Sequence, residues 1–116
     1  MTVRECYEQI GGNYEEVQRR LCSDALIQKF LGKFLLDESY AKVLQGLREE
    51  TPDEAFRAAH TLKGVCQNLG LGRLSESSAA LTEALRGGKS HVTMEQLEQL
   101  EKDYEVTVAA IRALLG

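Results

Sequence analysis

The sequence has no tryptophan, one proline (Pro52), two histidines and three cysteines. Each scarcity closes a route. With a single proline, long stretches carry no helix breaker, and no segment alternates apolar and polar residues for long enough to grow a strand. Cys6, Cys22 and Cys66 are widely spaced, odd in number and contain no C-x-x-C pair. They point to neither a disulfide framework nor a zinc site, and small buried thiols in a reducing compartment are expected. Two histidines without a Glu-x-x-His pair disfavour a metal or haem bundle. No apolar run approaches the length that spans a bilayer, and the opening MTVRECYEQIGG lacks the apolar core of a secretory signal. No membrane partner and a cytoplasmic location are therefore expected. Positive charge is outnumbered, 14 Lys and Arg against 18 Asp and Glu, which argues against a nucleic-acid partner.

What is present favours helix. Ala, Leu, Glu, Gln, Lys and Arg dominate, and 116 residues suit a single domain over positions 1–116. A short amphipathic helix is expected from about Val3 to Ile10, ended by Gly11-Gly12-Asn13, and another from Tyr14 to Leu21. Ser23 or Asp24 can cap a third, with Leu26, Ile27, Phe30, Leu31, Phe34 and Leu35 as a wide apolar stripe. After DESY, Tyr40, Val43, Leu44 and Leu47 resume the spacing. Thr51-Pro52-Asp53-Glu54 reads as a capping box with proline at the first helical position, and Gly70 as a left-handed stop after Leu69. A further helix covers about Arg73 to Arg86, with Leu74, Ser78, Leu81 and Leu85 on one stripe, ended by GGKS. Ser90 or Thr93 can cap the last, which carries Leu97, Leu100, Tyr104, Val108, Ile111 and Leu115. The expected fold is all-α: an antiparallel up-down-up-down four-helix bundle with short N-terminal helices beside or across one end.

The helix from Thr51 to Leu69 separates two faces. At 100° per residue, Ala55, Ala58, Leu62, Val65 and Leu69 share one side, flanked by Ala59 and Cys66. His60 lies opposite with Phe56, Arg57, Lys63, Gly64 and Gln67, so His60 is expected to face solvent or a partner. Lys63, Gly64 and Gln67 stand at i+3, i+4 and i+7 from it. A neighbouring cation disfavours imidazolium and keeps the ring nucleophilic, and the same cation can pair with phosphate oxygens. Glycine inside a helix costs about 1 kcal/mol against alanine, and at i+4 it leaves space beside the imidazole for a bulky group. Gln67 can hydrogen-bond at the rim of that space. Nucleophilic attack on phosphorus to form a phosphohistidine fits this set. With no G-x-x-x-x-G-K-[ST] loop and no kinase signature, the chain has nothing to activate ATP by itself. His91, after GGKS, reads as an ordinary loop residue.

The run AHTLKGVCQNLG, followed by LGRLSESSAALTEALR, resembles the histidine-containing phosphotransfer (HPt) domain family. In that family an H-x-x-K-G core and an N-L-G type segment sit on one helix of a four-helix bundle; here they read His60, Lys63 and Gly64, then Asn68, Leu69 and Gly70. The resemblance implies that His60 is the phosphoacceptor, that Lys63 supports the phosphate, that Gly64 clears room and that Asn68 helps end the helix. It implies a phosphocarrier rather than an enzyme, relaying a phosphoryl group between receiver-domain aspartates in a multistep His-Asp relay. Response-regulator receiver domains are then the partners, with a hybrid sensor histidine kinase as a further one. The receiver would supply the aspartate and Mg²⁺, the carrier needing no cofactor or metal of its own.

Some members orient the imidazole with a glutamine 22 residues after the histidine; that place is Thr82 here, with Ser78 one turn earlier, and either hydroxyl is a candidate substitute. Phe56 is a candidate docking anchor or packs on the N-terminal helices. Arg57 steers an acidic receiver face or is a solvated charge. The polar outer faces favour a monomer. Two readings from other classes stand beside this one: a non-phosphorylated helical scaffold binding a receiver or kinase through the same face, and a small phosphatase acting on a receiver.

Overall fold

The computed structural model describes residues 1–88 and 90–116. Among them it contains seven α-helices, α1 (Val3–Gln9), α2 (Tyr14–Leu21), α3 (Asp24–Phe34), α4 (Ser39–Arg48), α5 (Pro52–Leu69), α6 (Gly72–Ala84) and α7 (Met94–Leu115), with a 3-10 turn at Arg86–Gly88 and no strand. The GGKS run expected to end α6 includes Lys89, which lies outside the described residues. Helices α4 to α7 form the four-helix bundle, each packed on the next. Tyr40 of α4 stacks on Tyr104 of α7, ring centroids 3.8 Å apart, and Phe34 of α3 tilts against the same Tyr104.

The helix ends follow from side-chain chemistry, though not everywhere as the sequence implied. Ser23 caps α3 by accepting from the Leu26 amide, and Thr93 with Gln96 makes a reciprocal capping box on α7. Thr2 and Glu5 make a second box on α1. Thr51 makes none. Its hydroxyl donates instead to the Gly46 carbonyl, as does its backbone N–H at 2.9 Å. With Glu50 left-handed (φ 56) and its amide donating to Leu47, this is a Schellman ending of α4, and it occupies the oxygen that the capping box needed.

The core stripe of α5 is Ala55, Ala58, Ala59, Leu62, Cys66 and Leu69, all buried. Val65, expected in that stripe, is only half-buried at its edge, and Cys66, expected as a flank, is fully enclosed. Ala55 allows α4 and α5 to approach closely at Gly46, where an added Cβ would stand 2.8 Å from the Ala55 amide nitrogen. Of the three thiols, Cys6 and Cys66 are buried, but Cys22 is exposed, because it occupies the left-handed C-cap of α2 (φ 62) at the surface.

The α1–α2 hairpin closes the C-terminal end of α5. Gly70 ends the helix in the left-handed region (φ 65). Beyond it the carbonyls of the last turn are taken one by one. The Tyr7 hydroxyl donates to Leu69, the Arg20 guanidinium to Gln67 (3.3 Å) and Asn68 (2.8 Å), and the Asn13 amide to Gly70. A cation at a helix C-terminus also opposes the helix dipole favourably. Asn68, expected to help end the helix, contributes there a carbonyl that Arg20 holds.

Candidate functional site

His60 is exposed near the middle of α5, on the side away from the buried stripe. Arg57 is exposed one turn earlier, Lys63 and Gly64 are half-buried, and Gln67 is exposed toward the hairpin end. The sequence-derived face is therefore one continuous surface of a single helix.

Gly64 bears most directly on what this face can accept. It is helical, and a Cβ built on it would meet nothing within 4 Å. Among the described residues no neighbour requires glycine there, in contrast to Gly46, where the backbone of α5 does. Side chains of a helix lean toward its N-terminus, so a residue covers the surface one turn before its own Cα. A side chain at position 64 would lean over His60. The glycine leaves the outer side of the imidazole uncovered.

On the inner side stands Phe56, half-buried against the core, its ring edge-on to the His60 imidazole with centroids 6.0 Å apart. The N-terminal helices are not its neighbours: their bonds to α5 fall at Gln67 to Gly70, about 16 Å or more further along the axis at 1.5 Å per residue. The packing alternative for Phe56 is thus corrected; what lies over its ring is the Arg86 guanidinium, 5.6 Å from the centroid. Arg86 is held by two hydrogen bonds to Glu83, at 3.0 and 2.7 Å, which keep that carboxyl below the usual carboxylate range, with Lys63 lowering it further. Two cations, Lys63 and Arg86, therefore flank Glu83 beside the histidine face.

Arg86 and Glu83 were not singled out in the sequence. A signal existed: α5 and α6 are joined by Gly70-Leu71, and counting equally back and forward from that link pairs Phe56 with the region of Arg86.

Neither proposed orienting hydroxyl reaches the imidazole. Ser78 and Thr82 are fully buried. Ser78 donates to the Leu74 carbonyl at 2.7 Å and Thr82 to the Ser78 carbonyl at 2.7 Å. In a helix a short hydroxyl side chain finds the carbonyl one turn back before anything across a groove. Ser78 faces the Cys66 thiol within the core, which burial pushes up to about 12. Among the described residues no group of three or more His, Cys, Asp and Glu side chains is arranged to hold a metal ion, and no helix is long and apolar enough to cross a membrane.

Neither the curated proteins nor the solved structures contain a match to this chain. The family model of the Hpt domain, by contrast, matches residues 25–110, taking in α3 from its second residue, all of α4 to α6, most of α7 and the whole histidine face, while α1 and α2 precede it. An all-helical bundle, a surface histidine with Lys63 and Gly64 on the same face, and this match over most of the chain agree: the chain belongs to the Hpt domain family, whose work is histidine phosphotransfer in phosphorelays.

Proposed function

We propose that the chain relays a phosphoryl group between receiver-domain aspartates, carrying it on His60. A ring nitrogen of neutral His60 attacks the phosphorus of an aspartyl phosphate. The N–P bond forms as the P–O bond to the aspartate breaks, the aspartate leaves as carboxylate, and the other ring nitrogen keeps its proton. The reverse sequence delivers the group to the next aspartate. The receiver brings the aspartate and the Mg²⁺ that such a centre needs. The carrier contributes an accessible nucleophile, Lys63 as a charge partner for phosphate oxygens, and Gln67 as a donor at the rim.

The observation that carries this reading is the open space at Gly64. A mid-helix glycine without an internal packing reason, placed where its side chain would cover a surface histidine, fits a site that another protein's backbone must approach. Receiver domains are the partners this reading names, with a hybrid sensor kinase as a further donor. Phe56 and Arg57 lie at the edge of the same approach, and Arg57 borders a groove of about 410 Å³ between α4 and α5.

The test is incubation with a phosphorylated receiver domain, followed by assay of label that is acid-labile and base-stable. Wild type is expected to take the label and His60→Gln to take none. Equal labelling of the variant would remove His60 from this role. A receiver that loses phosphate faster with no labelled intermediate would point to phosphatase action instead.

A further inference from the structure

We propose that Phe56 is the positioning residue of the His60 imidazole, holding the ring by an edge contact in place of a hydrogen-bonding side chain; the inference deepens the phosphocarrier reading and rests on it. An exposed imidazole on a helix is free to change rotamer unless something fixes it. Among the described residues no side chain hydrogen-bonds the His60 ring, and the two hydroxyls suited to do so, Ser78 and Thr82, are bonded to their own helix in the core.

The remaining neighbour is Phe56. It stands four residues before His60, where a helical side chain leaning toward the N-terminus comes to rest. The two rings meet at 62° with centroids 6.0 Å apart, within the range of an attractive edge-to-face pair. Phe56 is itself restrained. Its inner side packs on the core, and Arg86 lies over its ring at 5.6 Å, fixed in turn by both oxygens of Glu83. A line of contacts thus runs from the end of α6 through Phe56 to the imidazole. With Phe56 on one side and the uncovered space of Gly64 on the other, the ring is braced from below and open from above. That is the arrangement a nucleophile needs to present one nitrogen in a repeatable direction.

The experiment compares Phe56→Leu, Phe56→Tyr and Arg86→Gln with wild type in two measurements. The first is the set of χ1 coupling constants and ring proton shifts of His60 by NMR, in protein that has met no phosphodonor. The second is the labelling rate of His60 with phosphoramidate, a small P–N donor that makes no docking surface. Phe56→Leu keeps apolar bulk and removes the aromatic edge. It is expected to average the His60 rotamers, abolish the ring-current shift and slow labelling about two- to tenfold, the range set by the strength of one aromatic pair, with little change in melting temperature. Phe56→Tyr should restore both readouts, and Arg86→Gln, at the surface, should move both in the direction of Leu by a smaller factor. Unchanged couplings and rate in Phe56→Leu overturn the proposal, as does a Phe56→Tyr variant as impaired as Leu. A wild type that phosphoramidate never labels counts against His60 as phosphoacceptor, and the coupling constants still decide whether Phe56 holds the ring.

Discussion

The hydroxyl of Tyr7 donates a 2.7 Å hydrogen bond to the carbonyl of Leu69, joining the first helix to the last turn of the histidine-bearing one across 62 positions of sequence. Both groups are buried, and burial drives the phenol far above the ordinary tyrosine range. Removing the donor while keeping the ring leaves that carbonyl without the partner that now satisfies it. Tyr7→Phe is expected to lower stability by about 1–3 kcal/mol, read as a shift of the urea midpoint. Labelling of His60 should be unaffected while the protein remains folded, since the bonded carbonyl lies about two and a half turns along α5 from the imidazole.

Two glycine-to-alanine substitutions in neighbouring helices should have opposite signs. At Gly64 an added methyl meets nothing and removes the conformational penalty of a helical glycine, so Gly64→Ala is expected to raise stability by up to about 1 kcal/mol. At Gly46 the methyl would stand 2.8 Å from the Ala55 nitrogen and 2.9 Å from its Cβ, atoms that cannot yield without moving a helix. Gly46→Ala should cost about 1–3 kcal/mol. Paired denaturation curves decide both. A larger residue at 64, such as leucine, should leave the curve intact and reduce transfer from a phosphorylated receiver at least tenfold; unaltered transfer would argue that the space over His60 is unused.

The thiols give a count. Only Cys22 is exposed, so a thiol reagent at pH 8 should modify one cysteine in the native protein and all three in denaturant. Fast native reaction of a second thiol would contradict the enclosure of Cys6 or Cys66.

Alkaline stability should also bear the mark of Cys66. Its folded pKa is raised, by burial first, to about 12, whereas an unfolded thiol ionises near about 8.5. Below the unfolded value the contribution is whole. As pH climbs from there toward 12 the unfolded chain releases a proton that the folded chain retains, and stability falls. Tyr40, also pushed up to about 12 by burial, acts in the same direction from about pH 10. Cys66→Ala should flatten the decline between about pH 9 and 12, measured by urea unfolding at fixed pH.

The histidine face was legible because α5 is long and strictly periodic: once Leu62 and Leu69 were placed inward, 100° per residue left His60 and Gln67 outward. The bundle was legible for the same reason, from the stripes of α6 and α7, although Leu115, expected in the α7 stripe, is exposed at the last residue of that helix. What escaped depended on distant chain. Thr51 looked like a cap until the end of α4 claimed its hydroxyl. Ser78 and Thr82 were assigned by distance along the sequence, while their short side chains were settled by the carbonyls one turn behind them. Arg86 lies just beyond the regular helix, and only the antiparallel return of α6 brings it over Phe56.

The hairpin at the N-terminus also bears on how this domain can be cut and moved. The family match begins at residue 25, after the last residue of that hairpin. A chain trimmed to the match would present the carbonyls of Gln67, Asn68, Leu69 and Gly70 without the Arg20, Tyr7 and Asn13 donors that now face them. It would also bare the apolar surface that Tyr7, Ile10 and Val17 now cover. A graft into another protein is therefore expected to need the hairpin as well as the recognisable unit, although the hairpin's bonds to α5 fall at Gln67 to Gly70 and not at His60.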